Sequence, residues 1–308
     1  MAEPELAARL QRRFPEVAVE PLRLLDVGFG STVVETADGI VFRVARHPRA
    51  AAGHARELEL LPQLAGRLTA AVPLPLWRVE PGPDFPHGAI GYHKLPGEAL
   101  AADGGTPALA EDAARFLRSL HGVRDVAAAH RELGLEALHD ATMPALERAL
   151  NATELGIVAL WWDDVLRDTD LRSFEPALRH GDFWYENLLV EHGRLVGVLD
   201  WGGAGYGDPA DDLSTLRHLG DAFAEAALDA YSADQPLRRR ERRHWQLREL
   251  YGIAIALELD DEEELADGIA KLRRGAILTS WFAEAREWSP PRDDRRSGSG
   301  RRHTGGSR

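Results

Sequence analysis

The chain has 308 residues, 37 of them Lys or Arg and 50 Asp or Glu, for a formal charge of −13. At about 150 residues per domain the length suggests two structural units, and the acidic balance argues against a chain that grips nucleic acid or an anionic membrane. The absence of cysteine excludes disulfides, thiolate metal sites, iron–sulfur clusters and cysteine nucleophiles.

No run approaches the roughly 20 apolar residues of a membrane span. The first residues include Glu3 and Glu5 and no apolar signal core, so a soluble cytoplasmic protein is expected. Only Lys94 and Lys271 are lysines. A task that ordinarily falls to lysine therefore falls to one of these two or to arginine.

Residues 2–13 read as a short amphipathic helix that stops before Pro15. From Val17 to Arg46 the pattern is β. Ser31–Thr36 and Ile40–Val44 are rich in β-branched residues, and Asp38-Gly39 between them signals a hairpin, because the turn needs positive φ. Residues 50–65 return to helical spacing, with Leu58, Leu61 and Leu64 on one side. Strand-like pieces follow at 74–79 and 89–95, around the proline-rich loop 80–86. Residues 17–95 thus read as a sheet with one helix inserted after its third strand.

After Pro96-Gly97 the chain turns helical. Thr106 can cap a helix with Pro107 at its first position and Gly122 at its end, and Ala113, Phe116, Leu117 and Leu120 form its apolar stripe. Helical patterns also fill 136–150, 158–168, 210–232, 240–258 and 262–287. Residues 188–199 alternate around His192-Gly193 and read as a β-hairpin. Trp161 and Trp162 read as core, and the run from Arg238 to Arg243 as a solvated helix start. The expected organisation is a sheet-rich lobe over 1–95, a helical lobe over 96–288 and a disordered polar tail over 289–308.

The chemistry concentrates in three blocks. His180, Gly181, Asp182 and Asn187 come first, Asp200-Trp201 follow, and Gly207, Asp208, Pro209 and Asp212 complete the set. Asp182 and Asn187 lie in a short loop entering the hairpin, and Asp200 ends the hairpin's second strand. Three oxygen-bearing side chains therefore converge at one end of it. Hard oxygen donors with open positions suit Mg²⁺ that keeps waters and takes phosphate oxygens. A remaining carboxylate beside the ion can orient or accept a hydroxyl proton, which is the division of labour in phosphoryl transfer. Reading these residues as turn formers and a strand terminator leaves the third block unexplained.

The blocks resemble the aminoglycoside phosphotransferase family, small-molecule kinases whose pattern runs H-G-D-x-x-x-x-N, then D-[WF], then G-D-P-x-x-D. The resemblance covers roughly residues 20–285 and is strongest over 180–213. It implies an α+β, two-lobed protein-kinase-like fold, with a small antiparallel-sheet N-lobe and a larger, mainly helical C-lobe. It also implies Asp182 as the catalytic residue, Asn187 and Asp200 as Mg²⁺ ligands, and ATP or GTP as co-substrate. His180 is implied to brace the loop. Asp208 and Asp212 read as structural, Asp212 opening the helix through Leu213, Leu216 and Leu219.

On the nucleotide side, the glycines before Ser31 would let backbone N–H groups approach phosphates, although a plain β-turn fits the same residues. No Walker A sequence occurs, which excludes a P-loop enzyme. Where the family usually carries a lysine on the third strand, this chain has Arg43, which binds phosphate with a different geometry. Glu57 or its neighbour Glu59 would pair with Arg43, and the match at Arg56-Glu57-x-x-x-Leu favours Glu57. Gly91–Glu98 resembles the hinge, where backbone groups of His93 and Leu95 would meet the purine, with Lys94 solvated.

Asp200 is followed almost at once by Gly207-Asp-Pro209, and no A-P-E sequence exists. A protein substrate would lack its docking strip, so a small molecule with a free hydroxyl is expected. Between Asp200 and Ala270, 17 acids stand against 7 arginines, densest at Asp260–Glu264. In the family such acids bind the amino groups of polycationic antibiotics, implying a cationic small-molecule substrate; a solvated acidic helix start explains the run equally well. The leading expectation is an aminoglycoside kinase. A macrolide kinase or a homoserine- or choline-type metabolite kinase is the alternative, and a non-catalytic nucleotide-binding regulator the third reading. Neither nucleic acid nor membrane is expected as a partner.

Overall fold

The computed structural model describes residues 3–28, 30–127 and 133–281. The tail expected over 289–308 lies outside them, as does Phe29. Among the described residues no helix is long and apolar enough to cross a membrane.

Helix α1 (Glu3–Arg13) precedes a five-stranded antiparallel sheet built from β1 (Arg23–Val27), β2 (Ser31–Glu35) and β3 (Ile40–Ala45), then, after helix α2 (Pro48–Leu64), β4 (Trp77–Val79) and β5 (Ala89–His93). The strand order is β1-β2-β3-β5-β4, so β3 is central and flanked by β2 and β5. Between β2 and β3, Gly39 takes φ +71° at the turn, as the Asp-Gly pair requires. Successive residues of β3 face opposite ways. Phe42 and Val44 join a core with Leu6, Leu10 and Phe14, Phe42 stacking on Phe14 at 5.3 Å. Arg43, between them, faces the other side. Helix α2 starts at Pro48, where the His47 side chain accepts from Ala50 N at 3.2 Å.

The chain continues through β6 (Glu98–Ala99), α3 (Pro107–His121), α4 (Leu135–Ala149) and α5 (Ala152–Arg167). Thr106 caps α3 through Leu109 N at 3.2 Å. Strands β7 (Ala177–Arg179), β8 (Leu188–Glu191), β9 (Arg194–Val198) and β10 (Gly205–Gly207) follow, then α6 (Ala210–Ser214), α7 (Asp221–Tyr231), α8 (Gln235–Glu258) and α9 (Glu262–Arg274). β8 and β9 form the expected hairpin, with β6 added at its edge, while β7 pairs with β10. Phe116, Phe183 and Trp201, all buried, share one apolar core that also takes Leu60, Leu61 and Leu64 of α2, Phe116 stacking on Phe183 and meeting Trp201 edge-on.

Contacts divide the chain into two compact units, residues 1–138 with 167–248, and residues 139–166 with 249–308. The sheet, the hairpin and all three sequence blocks lie in the first unit. Within the second, Trp161 and Trp162 are buried. Asp261 caps α9 through Glu264 N at 3.1 Å, with Glu262, Glu263 and Glu264 in its first turn.

Three expected elements differ. The helix expected over 210–232 is broken at Gly220, where φ of +96° ends a short 3₁₀ stretch and starts α7. The helix expected over 262–287 ends at Arg274, before Gly275. The run Arg238–Arg243 is no solvated start: Arg240 and Glu241 are buried, Arg240 pairing with Asp208 at 2.8 Å and Glu241 with Arg217 at 2.6 Å. Buried charges need such partners.

Candidate active site

The loop after β7 is shaped by one carboxylate and one glycine. Asp212, fully buried in the first turn of α6, accepts the backbone N–H groups of His180 and Gly181, both at 2.8 Å, and the His121 ring nitrogen at 3.1 Å. Burial alone would raise its pKa, but the His121 hydrogen bond and the neighbouring His121, His180 and Arg179 pull it down to about 2. Gly181 takes φ +81°, and a Cβ there would sit 2.2 Å from Gly203 O. No other residue fits that approach. His180 is buried and braces the loop: its Nδ1 accepts from Asp182 N at 3.2 Å and its Nε2 donates to Leu199 O at 2.9 Å.

These braces bring the three oxygen-bearing groups to one end of the hairpin. Asn187 donates through Nδ2 to the Asp182 carbonyl at 3.0 Å and to the Asp182 carboxylate at 3.1 Å. Its amide oxygen is thereby turned away from Asp182. Burial, followed by the charge of Asp200, raises the Asp182 pKa, against the opposing influence of Arg248, His180 and the Asn187 hydrogen bond. A carboxylate so disposed is a better proton acceptor than a solvated one. Asp200 sits just past β9 in the left-handed region, φ +55°, a conformation Asp tolerates and functional sites retain.

Arg43 links the sheet to this site. Buried in β3, it donates through Nη1 to Glu57 Oε1 at 2.6 Å and through Nη2 to Asp200 Oδ1 at 2.7 Å. Glu57, and not Glu59, is therefore its partner on α2. The Asp200 carboxyl, which burial would raise, is held below its usual range by the Arg43 charge and hydrogen bond. Glu57, fully buried, is instead raised by burial despite Arg43. Arg43 itself stays protonated, its two carboxylates outweighing burial.

The remaining expected residues are spread along the sheet. Ser31 opens β2, buried, with Oγ 3.1 Å from His54 Nε2. His93 ends β5, exposed, its ring edge-on to Trp77 at 5.2 Å, and Leu95 is half-buried two residues on. Between them Lys94 N donates to Gly39 O at 2.9 Å. Three residues here escaped the sequence reading. His54 holds Ser31 from α2; Arg56 Nε donates to Gly202 O at 2.7 Å; and Arg248 acts on Asp182 from α8. For His54 the available signal was its position one helical turn before Glu57. For Arg248 there was none.

Among the described residues no group of three or more His, Cys, Asp or Glu could hold a metal ion. Asn187 and Asp200 offer two hard oxygen ligands, the sparse set that suits Mg²⁺ completed by water and phosphate oxygens.

Comparison with known proteins places the chain by family and by fold. The chain is 36% identical over 81 residues to an aminoglycoside 3′-phosphotransferase of Escherichia coli, covering 25% of this chain and 30% of the relative. It is 33% identical over 116 residues to viomycin phosphotransferase of Streptomyces vinaceus, covering 33% and 38%. These matches thus span about a third of each relative's length. In fold, the GDP complex of aminoglycoside 2′-phosphotransferase-IIIa superposes with a TM-score of 0.79 at 19% identity, over 89% of this chain and 98% of that one. A macrolide 2′-phosphotransferase of Brachybacterium faecium gives 0.65 at 24% identity, over 90% and 98%. The profile described as the phosphotransferase enzyme family matches residues 22–272, well over half of the sequence, and this chain therefore belongs to the phosphotransferase enzyme family.

Proposed function

We propose that the protein is a kinase that transfers the γ-phosphate of ATP or GTP to a hydroxyl of a small molecule, with an aminoglycoside as the acceptor. The observation that carries the reading is the convergence of Asp182, Asn187 and Asp200 at one end of the hairpin, with Arg43 held there by Glu57. The names of the relatives, aminoglycoside and viomycin phosphotransferases, support the acceptor class.

Each residue then has a task. Arg43 binds nucleotide phosphate through a guanidinium whose direction Glu57 fixes. Ser31, steadied by His54, and the adjoining backbone line the phosphate approach, and the backbone at His93 and Leu95 meets the purine. Asn187 and Asp200 would hold Mg²⁺, which neutralises charge on the phosphoryl oxygens when bound. Asp182 orients the acceptor hydroxyl and takes its proton as the new oxygen–phosphorus bond forms and the bond between the γ-phosphorus and the bridging oxygen breaks, releasing the nucleoside diphosphate. Its raised pKa serves that step.

A macrolide acceptor is the second reading. The half-buried rings of Trp184 and Trp245, joined through His218, favour it by offering apolar surface beside the catalytic loop. The test is incubation of the full chain with Mg²⁺, ATP or GTP and a panel of aminoglycosides, macrolides and amino alcohols, with products read by mass. A phosphorylated aminoglycoside that disappears with Asp182→Ala is the expected result. A phosphorylated macrolide alone would move the acceptor class, and product that persists in Asp182→Ala would overturn the mechanism.

A further inference from the structure

Beside the catalytic loop lies a set of groups for which the phosphoryl chemistry has no use. Trp184 follows Asp182 by two residues, and its N–H donates to the Asp182 carbonyl at 2.8 Å. Its ring lies against His218 at 3.8 Å between centroids and against Tyr185 at 4.5 Å, and His218 meets Trp245 of α8 at 4.6 Å. All four rings are half-buried. Arg248 stands one helical turn beyond Trp245, on the same side of α8. It too is half-buried, yet its Nε is shielded from solvent and has no hydrogen-bond partner.

The other buried guanidinium groups near the site, Arg43, Arg179 and Arg240, each meet a carboxylate. Burying a guanidinium N–H without an acceptor is costly, and structure alone gives no return for it here. The carboxylate that feels the Arg248 charge is Asp182, whereas Asp200 is governed by Arg43 and His180. With Trp184 two residues from Asp182 and joined through His218 to Trp245, one turn before Arg248, the ring cluster places Arg248 on the acceptor side of Asp182.

We infer that Arg248 and the edge-to-face Trp184–His218–Trp245 cluster form an acceptor subsite that takes a ring carrying a carboxylate or carbonyl oxygen and turns away an ammonium. The edge-to-face rings, with interplanar angles of 69° and 75°, supply apolar walls against which a ring can pack, and the guanidinium supplies the donor for the oxygen. An ammonium at the same place would meet a like charge and leave Arg248 unpaired, so the subsite discriminates by repulsion as well as attraction. The amino groups of a cationic acceptor must then point elsewhere, and the neighbour of its reacting hydroxyl must be an oxygen. The inference rests on the reading of Asp182 as the residue that meets the acceptor hydroxyl.

The experiment uses the full chain without nucleotide and two probes of one shape, benzoate and benzylamine. Binding is followed by quenching of tryptophan fluorescence, to which Trp184 and Trp245 contribute among the eight tryptophans. Benzoate is expected to quench saturably and benzylamine not at all. Arg248→Gln is expected to weaken benzoate at least ~10-fold, equivalent to ~1.4 kcal/mol, with unchanged ellipticity. Should that variant fail to fold, Arg248→Lys, which keeps the charge and the stem, should lose ~3-fold, the smaller loss expected when the planar fork alone is removed. Absence of a saturable benzoate signal, equal affinity in the wild type and both variants, or equal binding of benzylamine would each overturn the subsite. No phosphoryl transfer is needed for the measurement, so its failure is distinguishable from failure of the kinase reading.

Discussion

Arg43 is buried between two carboxylates, and one of them, Glu57, has no contact with solvent. Removing either partner of a buried pair leaves the other charged and unpaired, at a cost of about 3–5 kcal/mol. Arg43→Ala should therefore lower the unfolding free energy by that order, and Glu57→Ala by less, because Arg43 keeps Asp200 as a partner. The double variant should lose less than the two together, by at least ~1 kcal/mol, because the pair is counted twice. Additivity within ~0.5 kcal/mol would show that the two do not act through one another. Arg43 was legible as the cation of the third strand because the family resemblance places a cation there and neither Lys94 nor Lys271 lies on that strand. His54 was not picked out, since its place one turn before Glu57 does not by itself separate a brace from a core residue.

The catalytic loop is held as an element by Asp212 from below and by Gly203 from one side. With Gly203 O 2.2 Å from where a Cβ of residue 181 would lie, Gly181→Ala must displace the loop that carries Asp200. A loss of ~100-fold or more in kcat/KM for phosphoryl transfer is expected, since small misplacement of reacting groups is that costly. A variant with near-normal kcat/KM would mean that the 203 loop yields freely. Elements fixed by local chemistry were legible in the sequence: the Asp38-Gly39 turn, the Thr106-Pro107 start of α3 and the His192-Gly193 hairpin. Those fixed by distant partners were not. Strands β7 and β10 are three residues each and pair across the catalytic loop, too short to leave a period. The apolar pattern over 210–232 ran straight through Gly220, whose positive φ alone divides the helix.

For the whole molecule, acid should be destabilising in two windows. His54 is kept neutral, its pKa pushed down to about 3 by burial and then by Arg43, against an ordinary 6.5. Between those values the unfolded chain takes up a proton that the folded one refuses, so stability falls as pH drops from about 6.5 toward 3. Asp212 adds a second fall, from its ordinary 3.8 toward about 2, because the folded carboxylate stays ionised there. Asp182, Glu57 and Glu241, raised by burial, act in the opposite direction as they gain protons. The clean observable is thus the difference between wild type and His54→Asn. The variant should lose up to ~1.4 kcal/mol per pH unit of the slope between pH 6.5 and 4, while keeping the fall below it. Identical slopes would remove His54 as the cause.

Helix α2 has one further consequence. Glu57 holds Arg43, His54 holds Ser31, Arg56 is bonded to Gly202, and at Gly53 a Cβ would lie 3.3 Å from the Gly202 Cα. A helix moored at so many points can swing outward only by breaking them together, and a state that demands this is sparsely populated. Under the proposed kinase reading, control by rocking this helix between an assembled and a dismantled site is disfavoured, and turnover would follow the supply of donor and acceptor, the behaviour of a sentinel that is always armed.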